Sequence, residues 1–148
     1  ERLGVLSGNV AVITVGANSD VELKEKKDRV DDAIHATKAA VKEGIVPGGG
    51  IALLNAAQKL SGKTEGEKIF IEAIKAPYKV ILNNAGLDTT TQANKKGWGI
   101  DVVTGKQVSM IKAGIIDPVL VTKTALKNAV SVATTILSTD CVINNMRE

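Results

Sequence analysis

The sequence predicts a mostly α fold with small β elements. Three observations carry that expectation. The longest patterned stretches repeat apolar residues at helical spacing rather than in strand alternation. The 148 residues are 44% hydrophobic but only 2% aromatic (Phe70, Tyr78 and Trp98), so the core must be built from Ile, Val, Leu and Ala. Glycines and a Pro47-Gly48-Gly49-Gly50 turn punctuate the helical runs, whereas strand-like runs are short.

Each element has its own signal. Residues 10–15 are a β-branched run between Ser7-Gly8-Asn9 and Gly16-Ala17-Asn18, which reads as a strand. Ser19 or Asp20 is suited to cap a helix over about 21–43. Val30, Ile34, Thr37 and Val41 are its inward positions, and its Lys, Glu and Asp side chains face water. Gly44 is suited to a helix stop. Residues 51–60 form an apolar helix and 61–66 an exposed loop. Residues 68–84 are helical but must break or kink at Pro77, with Gly86 closing the run. A short helix follows over 89–94. Residues 100–103 and 107–111 flank Thr104-Gly105-Lys106 as a hairpin. Residues 115–118 end a loop, with Pro118 at a first helical position. Residues 119–138 are the longest apolar helix, with Thr122, Ala125, Ala129, Val132, Ala133 and Ile136 facing inward. Residues 141–144 are a last strand candidate, and no repeat or low-complexity segment occurs.

Composition narrows the function classes. Nineteen Lys and Arg against sixteen Asp and Glu give a net charge of +3, interspersed along the chain, which argues against nucleic acid. So few aromatic side chains offer no stacking platform for single strands. The lone Cys141 leaves no internal disulfide and no multi-cysteine metal site, as in a reducing compartment. No apolar run approaches the roughly 18 residues of a membrane span. The first residue is Glu and no signal peptide is visible, so the chain is expected to be a segment or a processed piece.

The most informative stretch is Asp28-Arg29-Val30-Asp31-Asp32-Ala33-Ile34-His35-Ala36-Thr37, running on to Gly44-Ile45-Val46-Pro47-Gly48-Gly49-Gly50. A glycine-rich turn at a helix start is a place where backbone N–H groups can meet a phosphate. A carboxylate about four helical turns earlier could be brought over that phosphate to activate water. Each residue also has a plainer reading. Asp31-Asp32 is a solvated helix face, Gly48–Gly50 a flexible connection, and Asp117 before Pro118 a helix N-cap. His35 is a surface residue, Cys141 a small buried apolar one, and Trp98 a partly exposed loop anchor.

The order and wording of the motifs decide between these readings. Glu1-Arg2-Leu3, Val10-Ala11-Val12, Val15-Gly16, Lys24-Glu25-Lys26-Lys27, Arg29-Val30 with Asp32-Ala33, His35-Ala36-Thr37, Glu43-Gly44 with Gly48-Gly49-Gly50, Ala76-Pro77, Gly114-Ile115-Ile116-Asp117-Pro118 and the closing apolar helix together resemble the second half of group I, GroEL-type chaperonins. The resemblance covers nearly the whole chain. It implies that residues 1–8 leave an apical domain, 9–43 return through an intermediate domain as a strand and long helix, and 44–148 complete the helical bundle of an equatorial ATP-binding domain.

Site roles follow from the same resemblance. Asp32 matches the catalytic aspartate that positions the attacking water. Gly48, Gly49 and Gly50 match the glycine turn beside the nucleotide. Asp117 matches the residue on the ribose hydroxyls, and Ile115 the residue packed on adenine. Asp101 and Val102 fall where the base is contacted, in a shorter loop and with a bulkier residue at Val102. The loop after Leu60 is also short, and the upper hinge reads Gly8-Asn9 where the family often has two glycines.

The cofactor implied is ATP or ADP with Mg²⁺. The magnesium-ligating Gly-Asp-Gly-Thr-Thr-type motif and the apical client-binding surface belong to the family's first half, outside this chain. Implied partners are copies of the parent in double rings, a GroES-type co-chaperonin and unfolded clients, with neither nucleic acid nor membrane. The implied location is the bacterial cytoplasm, or else an organelle matrix. Two other readings stand beside this one: a structural or oligomerisation fragment without ATPase activity, and an unrelated small helical enzyme using Asp32 and Asp101 as an acid–base pair.

Overall fold

A serine and a glycine bracket the longest helix, α1 (Asp20–Glu43). Ser19 accepts a hydrogen bond from the Glu22 N–H (3.3 Å), and the Glu22 carboxylate accepts one from the Asn18 N–H (3.2 Å). These contacts satisfy donors that a helix start leaves unpaired. At the other end Gly44 adopts φ +84° and its N–H reaches Ala40 O at 2.8 Å. That left-handed stop costs glycine nothing in Cβ clashes.

The computed structural model describes residues 6, 8, 11–88, 95–141 and 143. It falls into two compact units, residues 1–37 and 38–148, with the division inside α1. In the first unit, residues 11–17 form no regular element, and Val12 and Ile13 are 85% and 61% exposed. The expected strand over 10–15 is therefore not seen over its described residues. A β-branched run becomes a strand only when another strand pairs with it, and no described residue does so.

The second unit opens with β1 (Ile45–Pro47), which leads through Gly48–Gly50 into α2 (Ile51–Ala57). Helix α3 (Glu65–Ala73) starts earlier than the pattern suggested. The cause is a capping box: Thr64 Oγ1 accepts from the Glu67 N–H, while the Glu67 carboxylate accepts from the Thr64 N–H. The break demanded by Pro77 is present, since α4 (Ala76–Asn84) begins afresh with the proline in its first turn. Gly86 (φ +68°) ends it, and the Leu87 N–H returns to Leu82 O at 2.9 Å.

The hairpin is β2 (Trp98–Asp101) against β3 (Lys106–Ser109), antiparallel, with Asp101 opposite Lys106. Its strands sit earlier in sequence than expected because the turn occupies 102–105, with Gly105 at φ +66°. A second two-stranded sheet pairs β1 with β4 (Ile116–Pro118), placing Val46 opposite Asp117. The sequence pattern showed neither strand: 115–118 read as a loop end, and Asp117 as a cap. Pro118 itself is the N-cap of α5 (Val119–Leu137), one position before the first helical residue.

The core cluster is Ile51, Leu54, Tyr78, Leu82 and Met110, with Leu87, Ile100, Val108 and Ile115 against it. It is aliphatic apart from one ring, as the composition required. Two inward faces are corrected. In α1 Thr37 and Val41 are exposed and Ala39 is the buried residue. Helix α5 buries no residue at all, and Val132 and Ile136 are exposed. Cys141 is exposed rather than buried, and neither it nor Ile143 lies in a strand. Trp98 is half-buried within β2, with Lys95 Nζ 5.6 Å from its ring centre. Asn9, the segment 89–94 and residues 142 and 144 lie outside the described residues. No helix among the described residues is long and apolar enough to cross a membrane.

Candidate functional site

The turn at Gly48–Gly50 is held from three sides by the protein's own atoms. A Cβ on Gly48 would lie 3.1 Å from Ile116 N, and one on Gly49 3.0 Å from Met110 Cε. One on Gly50 would lie 2.7 Å from Tyr78 N. Gly49 and Gly50 both take left-handed backbones, φ +64° and +76°. Internal packing thus already demands glycine at these positions.

The hydrogen bonds of the turn divide its donors. The Gly48 N–H goes to Ile115 O at 3.0 Å and the Ile51 N–H to Gly48 O at 3.2 Å. Among the described residues, the N–H groups of Gly49 and Gly50 have no acceptor, and no side chain caps α2. Two adjacent unpaired donors at a left-handed turn suit an anion.

Asp117 stands beside them. Pairing of β1 with β4 brings it opposite Val46, and Ile115 is tied to the turn through its carbonyl. Gly49, Gly50 and half-buried Asp117 line a cavity of about 630 Å³. The rest of its lining is mostly apolar, including Phe70, Ile74, Pro77 and Ile81, with Thr122, Ala125, Leu126, Ala129, Val130 and Ala133 of α5. Five of the sequence candidates, Gly48, Gly49, Gly50, Ile115 and Asp117, therefore come together.

Asp101 and Val102 are placed apart from that cavity lining, at the tip of the hairpin. The Asp101 carboxylate accepts from Thr104 Oγ1 (2.8 Å) and from the Val103 N–H (3.0 Å). These bonds, Thr104 first, hold its pKa below the ordinary range. These two bonds close the hairpin turn and leave each carboxylate oxygen a further lone pair. Asp32 lies on α1 in the first unit, exposed, and its carboxylate joins none of the described hydrogen bonds or ion pairs. His35 is also exposed, with Nδ1 2.9 Å from Asp31 O. Among the described residues no group of three His, Cys, Asp or Glu side chains gathers that could hold a metal ion.

Sequence reasoning passed over the supports of the turn, Tyr78, Met110 and Gly99. Gly99 leaves no room for a Cβ, which would meet Ile51 Cγ1 at 2.7 Å. A glycine inside a strand pattern is the signal that could have indicated this close approach.

Residues 3–147 match the model of the TCP-1/cpn60 chaperonin family. A group III chaperonin, whose crystal structure shows the open state, superposes with a TM-score of 0.73 at 31% sequence identity. That match covers 87% of this chain and 30% of the group III chain, so this chain spans less than a third of the other's length.

Proposed function

The chain belongs to the TCP-1/cpn60 chaperonin family, and we propose that it is the carboxy-terminal segment of an ATP-dependent protein-folding chaperonin. In this reading it supplies the ribose and adenine side of the ATP site, with the glycine turn beside the nucleotide, and the aspartate that readies the attacking water. One observation carries the reading: two consecutive residues with unpaired N–H donors and a half-buried carboxylate line a single cavity.

The roles divide by chemistry. The Gly49 and Gly50 N–H groups donate to phosphate oxygens, and the Asp117 carboxylate accepts from ribose hydroxyls. Ile115 packs against the base. Asp101 and Val102 contact the base from the hairpin tip, the carboxylate keeping acceptor capacity beyond its two bonds within the turn. Asp32 orients water. ATP brings the phosphoryl group, and a magnesium ion that neutralises its charge would be held by residues outside this chain.

The group I assignment rests on the motif wording, as do double-ring assembly, the GroES-type partner, clients bound through an apical domain, and a cytoplasmic or organellar location. A second reading has its own observation. Helix α5 exposes Val121, Val130, Val132, Ile136 and Leu137, so the separate chain would self-associate as a structural module without nucleotide. The mass of the native polypeptide separates the two, since a chain several-fold longer supports the chaperonin.

The test is ADP titration into a full-length chaperonin carrying this segment, wild type against Asp117→Ala. Hydrogen bonds to a charged group contribute about 1.5–3 kcal/mol, so affinity should fall about 10- to 100-fold. Unchanged affinity would remove Asp117 from the site.

A further inference from the structure

Helix α4 touches three things at once. Its buried face, Tyr78 (4% exposed) and Leu82 (0%), sits in the core. Its other face, Pro77 and Ile81, lines the same cavity as Gly49, Gly50 and Asp117. Its first turn carries Gly50 directly, because a Cβ there would meet Tyr78 N at 2.7 Å and Tyr78 Cα at 3.0 Å. Helix backbone cannot swing aside as a side-chain tip can, so the place of Tyr78 sets the place of Gly50.

Building on the reading of the turn as the phosphate side, we propose that Tyr78 is a positioning residue for nucleotide binding. The ring, seated among Ile51, Leu54 and Met110, anchors the first turn of α4. That turn fixes Gly50, and Gly50 fixes where the two unpaired N–H groups stand. Tyr78 touches no nucleotide itself. Its effect falls on how well the donors are arranged before ligand arrives, which is a binding effect rather than one on the chemical step.

The experiment is steady-state ATP hydrolysis by the full-length chaperonin carrying this segment, as wild type, Tyr78→Phe and Tyr78→Ala. Tyr78→Ala should raise KM for ATP about tenfold while kcat changes less than about twofold, the pattern of lost uniform binding. Tyr78→Phe, which keeps the ring, should restore the wild-type KM. A folded Tyr78→Ala ring with wild-type KM overturns the proposal. If Tyr78→Ala does not assemble, Gly50→Ala is compared with Gly66→Ala, whose added methyl meets open space. The first should raise KM and the second should not, and equal values again overturn the proposal. A wild-type protein that binds no nucleotide would instead sink the underlying reading of the turn. Normal wild-type binding with an indifferent Tyr78 would sink the positioning role alone.

Discussion

Gly48, Gly49 and Gly50 share a turn but dispense with a side chain for different reasons. Gly48 lies against β4, Gly49 against Met110, and Gly50 against the start of α4. The motif was legible in the sequence, but its internal packing was not, because no local pattern reports which distant residues press on a turn. Asp117 shows the same divide. Its position before Pro118 read as a cap, yet β pairing places it in a strand beside the glycines. The Asp101 carboxylate accepts from Thr104 within its own hairpin. Asp32 is exposed on α1. In a full-length chaperonin, Asp32→Ala should slow ATP hydrolysis about 10²–10⁴-fold, the usual worth of a group that activates water. Affinity for ATP should stay unchanged, because the residue acts when water attacks. Parallel binding and turnover assays check this, and an equal loss in both would make Asp32 structural.

The helices with local start and stop signals were predictable from sequence, as was the hairpin of β2 and β3 apart from its bounds, whereas β1 and β4 were not. Helix α1 has Ser19 and Gly44 at its ends, and α4 follows a proline break. Strands β1 and β4 are three residues each and owe their existence to one another across most of the second unit. Side-chain pairs span the break between α3 and α4. The Glu72 carboxylate meets Lys75 and Lys79, and these hydrogen bonds, Lys75 first, hold its pKa at about 2 against an ordinary 4.5. A depressed carboxylate pKa adds stability above the unfolded value, and that stability is lost as pH falls toward the folded value. Resistance to urea should therefore drop between about pH 4.5 and 2 through Glu72. Glu72→Gln should flatten that part of the curve, and high salt should do the same because the group is solvent-exposed. A Gln variant with the wild-type acid limb would show that the cluster contributes nothing.

At the scale of the whole molecule, the second unit rests on a small core. Leu82 is fully buried beside Tyr78 and Met110. Leu82→Ala should cost about 2–5 kcal/mol, seen as a lower thermal midpoint, and a loss below about 1 kcal/mol would mean that the site collapses to fill the void. Helix α5 is the opposite case, with apolar residues and none buried. Helical spacing alone could forecast an inner face for it but not what would cover that face. This chain matches under a third of a chaperonin chain, and in the proposed reading α5 packs against further residues of the full-length protein.

The most direct test is magnesium-dependent ATP hydrolysis, measured side by side for the separate 148-residue chain and for a full-length chaperonin containing it. Phosphoryl transfer needs charge neutralisation and a complete phosphate cradle as well as a positioned water. The full-length protein should therefore turn over ATP while the separate chain stays at background. Turnover by the pure separate chain, or a full-length protein that neither binds nor hydrolyses ATP, would contradict the account.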